Sequence, residues 1–374
     1  MHVSLSRVLT VVIMAFSTVA AGGLFMPASA AYQQSPDSTW VPNGTVYAMA
    51  RVGNTIYLGG DFTNLKDPVT GLYVARARLA AVDATTGAPL AWNPGADATV
   101  RALAVGPDGT VFAGGIFTTA AQVTATRLAA ITPAGKAVTG WSAAASGTVR
   151  DIVADSSGLY AAGSFGSING VARARVAKLS LTTGAMDRSF NARVAGGSVY
   201  ALARSGDTML LGGSFTTLSG ATRQASGSVS LTSGAVTTWA PARQCDTCWV
   251  LDLATDGTKV YEAVAGPGGR VVAFSLSTAA RSWVRSGDGD VQAVAVEAGV
   301  VYVAGHFSAF NGLPRRQLVT YSASGVLSDY SIAFTGKDYP GIWSVIADTS
   351  ALRIGGAFSL ANNTASRYAT FRLI

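Results

Sequence analysis

Histidine, cysteine and glutamate are nearly missing from this 374-residue sequence, which holds two histidines, two cysteines and only Glu262 and Glu297 as glutamates. Each scarcity excludes something. A structural zinc site needs four nitrogen or sulfur ligands; once His2 is set aside with the leader, His306 and one cysteine pair fall short of it. Glycoside hydrolysis works through paired carboxylic acids; no glutamate pair exists, and the spacing of the aspartates singles out none of them. A Ser–His–Asp plan would have to use His306, and no G-x-S-x-G elbow accompanies it. Charged residues make up only 13% of the chain. Despite a formal charge of +7, no dense basic stripe with interleaved aromatics marks a nucleic-acid binder. After the first thirty residues no apolar run is long enough to cross a bilayer, and no helical period appears.

What is present is apolar and glycine-rich: 49% hydrophobic residues and 43 glycines, enough to bury a large core. Residues 1–30 combine Arg7, an apolar run from Val8 to Met26 and the small-residue stretch "ASA" before Ala31, which predicts a secretory signal peptide. The competing expectation is a retained anchor, since the run is nearly long enough to span. Export predicts a secreted or cell-wall-associated protein and a local disulfide between Cys245 and Cys248 in "QCDTCWV". A thioredoxin-like site would need that pair to open a helix, whereas here it opens a strand. The excess of arginine over lysine fits anionic surfaces as well as it fits a bias in composition.

The stretch "YLGGDF" (57–62) returns as "GGIF", "AGSF", "GGSF", "AGHF" and "GGAF", ending at Phe117, Phe165, Phe215, Phe307 and Phe358. The phenylalanines recur about every fifty residues, with one interval twice as long, inside which "VYEAVAG" (260–266) is a unit that has lost its aromatic. Each unit reads as an apolar strand, a tight polar turn, the glycine-pair strand, a looser loop, a third strand such as "RLAAVD", a "TTG" turn and a last strand carrying Trp92, Trp141, Phe190, Trp239, Trp283 or Phe334. The glycines sit within a strand, not between a strand and a helix, so they are expected to permit close backbone approach and not to cradle phosphate. The chain stops after the third strand of its last unit, and "STWVP" (38–42) matches the missing fourth. The expected fold is all-β: a seven-bladed β-propeller of four-stranded antiparallel blades over residues 38–374, the N-terminal strand closing the last blade and residues 31–37 serving as a short linker.

The runs "VRALAVGPDGTVFAGGIFTT" and "DGDVQAVAVEAGVVYVAGHF" (288–307) resemble the glycine-rich, delta-60-type repeats of secreted actinobacterial β-propellers, a resemblance that implies the fold and no particular activity. "VDATTGAPLAW" (82–92) is similar to the tryptophan-docking repeat of quinoprotein dehydrogenases. That family implies an aspartate, a Thr-Gly turn and a tryptophan that lock adjacent blades. Its aspartate stands here only at Asp83, with Thr132, Ser180 and Ser230 at matching places, and its adjacent cysteines are replaced by Cys-x-x-Cys.

Three sets of positions stand out on the rim where a propeller would bind a ligand. Between glycine pair and phenylalanine, only Asp61 and His306 are ionisable. Antiparallel pairing sets Asp290 opposite His306, the arrangement of an acid orienting a base or of a structural pair. Just inside each first strand stand Tyr47, Arg101, Arg150, Tyr200, Leu251, Gln292 and Ser344, suited to a carboxylate or sugar hydroxyl or to a solvated rim. An arginine precedes every third strand: Arg76 and Arg78, Arg127, Arg173 and Arg175, Arg223, Arg270, Arg315 and Arg316, and Arg367. That recurrence points to a structural duty, with anion binding, at Arg315 for example, as the alternative. The sequence thus predicts a monomeric binding or scaffold module for an extracellular glycan, cell-wall or protein ligand. A hydrolase or lyase using Asp290 and His306 is the alternative, and a quinoprotein-like propeller a lesser one. No cofactor is required; calcium at the "DGD" loop 288–290 is left open.

Overall fold

The computed structural model describes residues 32–335, 339–360 and 366–374; the expected signal peptide lies outside the described residues. Every regular element among them is a β-strand. The repeat grammar becomes a series of antiparallel meanders whose innermost strands are Val46–Val52, Val100–Val105, Val149–Asp155, Val199–Ser205, Trp249–Thr255, Val291–Glu297 and Gly341–Ala347. These strands pack on one another in chain order, and Gly341–Ala347 returns to Val46–Val52. Second strands such as "GLYAAG" and "VVYVAG" are buried along their whole length, because a neighbouring sheet covers each of their faces. The core is therefore divided. One cluster holds Tyr57, Leu79 and Trp92 of the first sheet with Val111, Phe117 and Ile131 of the second, and another joins Val46 and Leu58 to Tyr368 of the last.

The two glycines of each pair do different jobs. A Cβ on the first would press on the next sheet: Gly59 on Val100, Gly114 on Val149, Gly212 on Val250, and Gly355 of the last sheet on Val46 of the first, all within 2.8 Å. A Cβ on the second would strike a backbone carbonyl of its own hairpin, as with Gly115 against Thr99 (2.2 Å) and Gly213 against Ser198 (2.1 Å). Both are packing constraints, as the sequence predicts, and neither glycine faces a helix N-terminus.

The outermost strands differ from expectation. A full fourth strand, Arg281–Ser286, forms in the fifth sheet. In the first, second, third, fourth and sixth sheets the last segment makes one bridge, such as Val82 with Pro89 or Tyr321 with Leu327, and then leaves the sheet. Phe334 pairs instead with Leu360 of the seventh sheet. In the paired strand (Trp283) and in unpaired last segments (Trp92, Trp239) alike, a tryptophan turns toward the next sheet. Trp92 Nε1 donates to the Thr132 carbonyl (3.1 Å), Trp239 to Ser275 (3.0 Å) and Trp283 to Ala323 (3.0 Å). The loops after the second strands are also more ordered than expected, forming small hairpins such as Ser167–Ile168 with Val171–Ala172.

Closure falls earlier in the chain than expected. Residues placed in a linker carry the pairing: Tyr32 bridges Leu373, the amides of Gln33 and Asp37 donate to the carbonyls of Arg372 and Thr370 (2.8 Å each), and Asp37 pairs with Arg372 (2.7 Å). Strand Val41–Pro42 adds to Asn64–Lys66 in a separate small sheet formed with Tyr73–Ala75 by the loop after the first unit's second strand. Thr39 lies under Gly87, the place Trp92 takes beneath Gly135. The N-terminal segment thus spans the seam between last and first sheets. Among the described residues no helix is long and apolar enough to cross a membrane.

Candidate functional site at the bulged ring

Each innermost strand carries one β-bulge near its start, where the pairing skips a residue: between Val46 and Ala48, Val100 and Ala102, Val149 and Asp151, Val199 and Ala201, Val250 and Asp252, Val291 and Ala293, and Ile342 and Ser344. A bulge kinks the strand and re-aims the extra side chain. The skipped residues are Tyr47, Arg101, Arg150, Tyr200, Leu251, Gln292 and Trp343, and all of them line one cavity of about 270 Å³ at the centre of the ring. Six of the positions predicted from sequence are therefore brought together. The seventh is corrected by one residue: the equivalent of Tyr47 is Trp343, and Ser344 sits one step deeper.

Two neighbouring arginines at this mouth are flanked by tyrosines. The Arg101 guanidinium stands 4.7 Å from the Tyr47 ring centroid and that of Arg150 4.9 Å from Tyr200, the distances of cation–π contact. Tyr47 meets Trp343 edge-on at 5.7 Å. Burial, reinforced by the charge of Arg101, lowers the pKa of Arg150. Gln292 Oε1 and Trp343 Nε1 are buried without a hydrogen-bond partner.

One residue deeper, where four sheets have alanine, Asp151 and Asp252 face the same cavity. Asp151 accepts the amides of Ile152 (2.7 Å) and, from the next sheet, Leu202 (2.6 Å). Asp252 likewise accepts those of Leu253 (2.8 Å) and Val294 (2.9 Å). Burial outweighs these bonds, aided at Asp151 by the Asp252 charge, and both carboxyls are pushed up to about 7. These two acids and Trp343 are what sequence reasoning missed; a repeat alignment showing aspartate where other units have alanine would have marked the acids.

The other candidates lie apart from the cavity. Asp290 and His306 meet, as their pairing predicts, with Nε2 3.8 Å from the carboxylate. Asp290 also accepts the Gly266 amide (2.9 Å), Tyr339 packs edge-on against His306 at 5.5 Å, and His306 Nδ1 is buried without a partner. Neither residue lines the central cavity. Asp61 accepts the Thr45 amide and so closes its own hairpin. Asp288 binds the amides of Ser308 (2.8 Å) and Ala309 (3.0 Å), and no group of three metal-ligating side chains occurs among the described residues. The recurrent arginines hold loop carbonyls: Arg76 that of Leu90 (2.8 Å), Arg127 that of Ala145 (2.9 Å), Arg175 that of Gly197 (2.7 Å), Arg223 that of Thr237 (2.7 Å) and Arg367 that of Pro42 (3.4 Å). Arg315 donates to Pro314 (3.3 Å). Cys245 and Cys248 form a disulfide in the loop before the fifth sheet.

The architecture is that of a β-propeller, and comparison with known proteins agrees. Residues 158–190 match the model of a β-propeller domain of unknown function, DUF5122. The WD40 β-propeller domain of Doa1 is similar over 90% of this chain and 96% of its own, with a TM-score of 0.57 and 10% identity. The computationally designed Ika8 protein is similar over 90% of this chain and all of its own, with a TM-score of 0.57 and 12% identity. Among curated proteins none matches. Likeness at such identities carries the fold and nothing of the function.

Proposed function

We propose that this chain is an exported, seven-bladed β-propeller that serves as a binding or scaffold module, holding a glycan, a cell-wall fragment or a segment of a protein partner at the mouth of its central channel. One observation carries the proposal: every innermost strand is bulged at the same place, and the released side chains converge on a single cavity. Regular pairing would have left the strands straight. Bulges that aim a tyrosine, an arginine or a tryptophan inward are features of a surface that contacts something. Export is supported by the leader-like residues 1–30, and the blade count by the seven-fold repeat of strand grammar. Nothing observed favours a hydrolase built on Asp290 and His306, because those residues meet outside the cavity.

An array of polysaccharides and peptidoglycan fragments tests the proposal, probed with the protein from residue 31 onward and with its Tyr200→Ala and His306→Ala variants. Binding that is lost with Tyr200 and kept without His306 supports a mouth-centred module. Binding lost with His306 and kept without Tyr200, or turnover of a polysaccharide that vanishes with His306, would overturn it.

A further inference from the structure

Most arginines of this protein satisfy carbonyl oxygens or carboxylates, such as Arg127 at Ala145 and Arg204 at Asp155; the two arginines of the mouth do not. Neither Arg101 nor Arg150 has a hydrogen-bond acceptor or an acid partner among the described residues; their contacts are with the rings of Tyr47 and Tyr200. They project from neighbouring strands and are close enough to repel each other. Arg150 is exposed and Arg101 half-buried, so both guanidiniums are open to a ligand, an anion between them would relieve their repulsion, and a planar carboxylate matches their fork-shaped donors. Across the cavity, Gln292, only 4% exposed, presents an unpartnered oxygen and Trp343 an unpartnered N–H. These are an acceptor and a donor for hydroxyl groups. At about 270 Å³ the cavity lies below the size that takes drug-like ligands, so it suits one ring.

Building on the proposed mouth-centred binding, we infer that the cavity takes a single carboxylate-bearing sugar ring, a uronic acid at the end of an acidic polysaccharide. Arg101 and Arg150 hold its carboxylate, Tyr47, Tyr200 and Trp343 line its ring, and Gln292 receives a hydroxyl. Asp151 and Asp252 form the floor and accept backbone amides, so their oxygens do not compete for the guanidiniums.

The test is calorimetric titration of the protein from residue 31 onward with glucuronate, galacturonate, glucose, acetate and inorganic phosphate, repeated with Arg101→Gln and Arg150→Gln after thermal melts show both folded. The expected result is binding of at least one uronate but not of glucose, weakened about tenfold or more by either substitution, the worth of one charge-assisted hydrogen bond. Arg204→Gln, which breaks a pair with Asp155 away from this cavity, should bind as the parent does. Equal binding of glucose and uronate, or uronate binding indifferent to both arginines, overturns the inference. Phosphate or acetate binding as tightly as uronate overturns its sugar half. Neutral glycans captured on the array and lost in Tyr200→Ala, with no uronate binding, would leave the mouth-centred module standing while removing its acidic ligand.

Discussion

Asp151 of the third sheet accepts the backbone amide of Leu202 in the fourth at 2.6 Å, so a carboxyl in the channel ties two neighbouring sheets together. Asp252 does the same for Val294. Glu262, also fully buried, is likewise pushed up to about 7 by burial. All three hold protons in the folded state that the unfolded chain releases near pH 4.

That difference sets the sign of the pH dependence. Between about pH 4 and pH 7 the native state binds more protons than the unfolded one, so stability rises as pH falls through this window. Asp97 and Asp348 act oppositely: despite some burial, hydrogen bonds from Thr118 and Ser350 among others hold each at about 2, and what they contribute is lost below about pH 4. Urea midpoints measured from pH 3 to 8 should therefore peak near pH 4 to 5. A peak at neutral pH would contradict the assignment of these carboxyls.

The clasp predicts the effect of truncation. Removing everything before Asn43 deletes the Gln33 and Asp37 hydrogen bonds, the Asp37–Arg372 pair and the buried Tyr32 ring, whose hydroxyl donates to Asp348 (2.7 Å). It also exposes the edge of the last sheet. Burial of an aromatic of this size is worth about 1.5–3 kcal/mol, so a fall in melting temperature of many degrees is expected by calorimetry. Unchanged melting would mean the ring is held without its N-terminus.

Two tryptophans at equivalent places should respond differently to phenylalanine. Trp92 donates to Thr132 in the next sheet, whereas Trp141 Nε1 is buried with no partner. Trp92→Phe should cost roughly 1 kcal/mol for the lost bond beyond the change in volume, and Trp141→Phe clearly less. Equal losses in denaturation midpoint would show that the indole N–H does not lock the sheets.

Gly213→Ala is a severe substitution despite its size. The added Cβ would meet the Ser198 carbonyl at 2.1 Å, and backbone cannot move aside without opening the bulge beside Tyr200. A loss of about 1–3 kcal/mol is expected from such overpacking. A midpoint close to the parent's would remove the steric account of the glycine pair.

The candidate site was legible in part. Tyr47, Arg101, Arg150, Tyr200 and Gln292 stand out in the sequence because they vary at one point of a repeat whose other positions are apolar. Asp290 opposite His306 follows from simple hairpin pairing. Trp343 escaped because the valine that precedes this point in the other six units is Ile342 in the last, and Asp151 and Asp252 escaped because their partners, Leu202 and Val294, lie in different units.

The sequence by itself determined the strands, their order and the duty of the glycine pair, since local alternation, turn chemistry and repetition are properties of neighbouring residues. The tertiary structure alone decided which outer segments pair and which only dock a tryptophan, where the N-terminus clasps, and which side chains face the cavity. Those outcomes depend on contacts between units far apart in the chain, and on bulges whose one-residue shift turns a side chain from the sheet face into the channel.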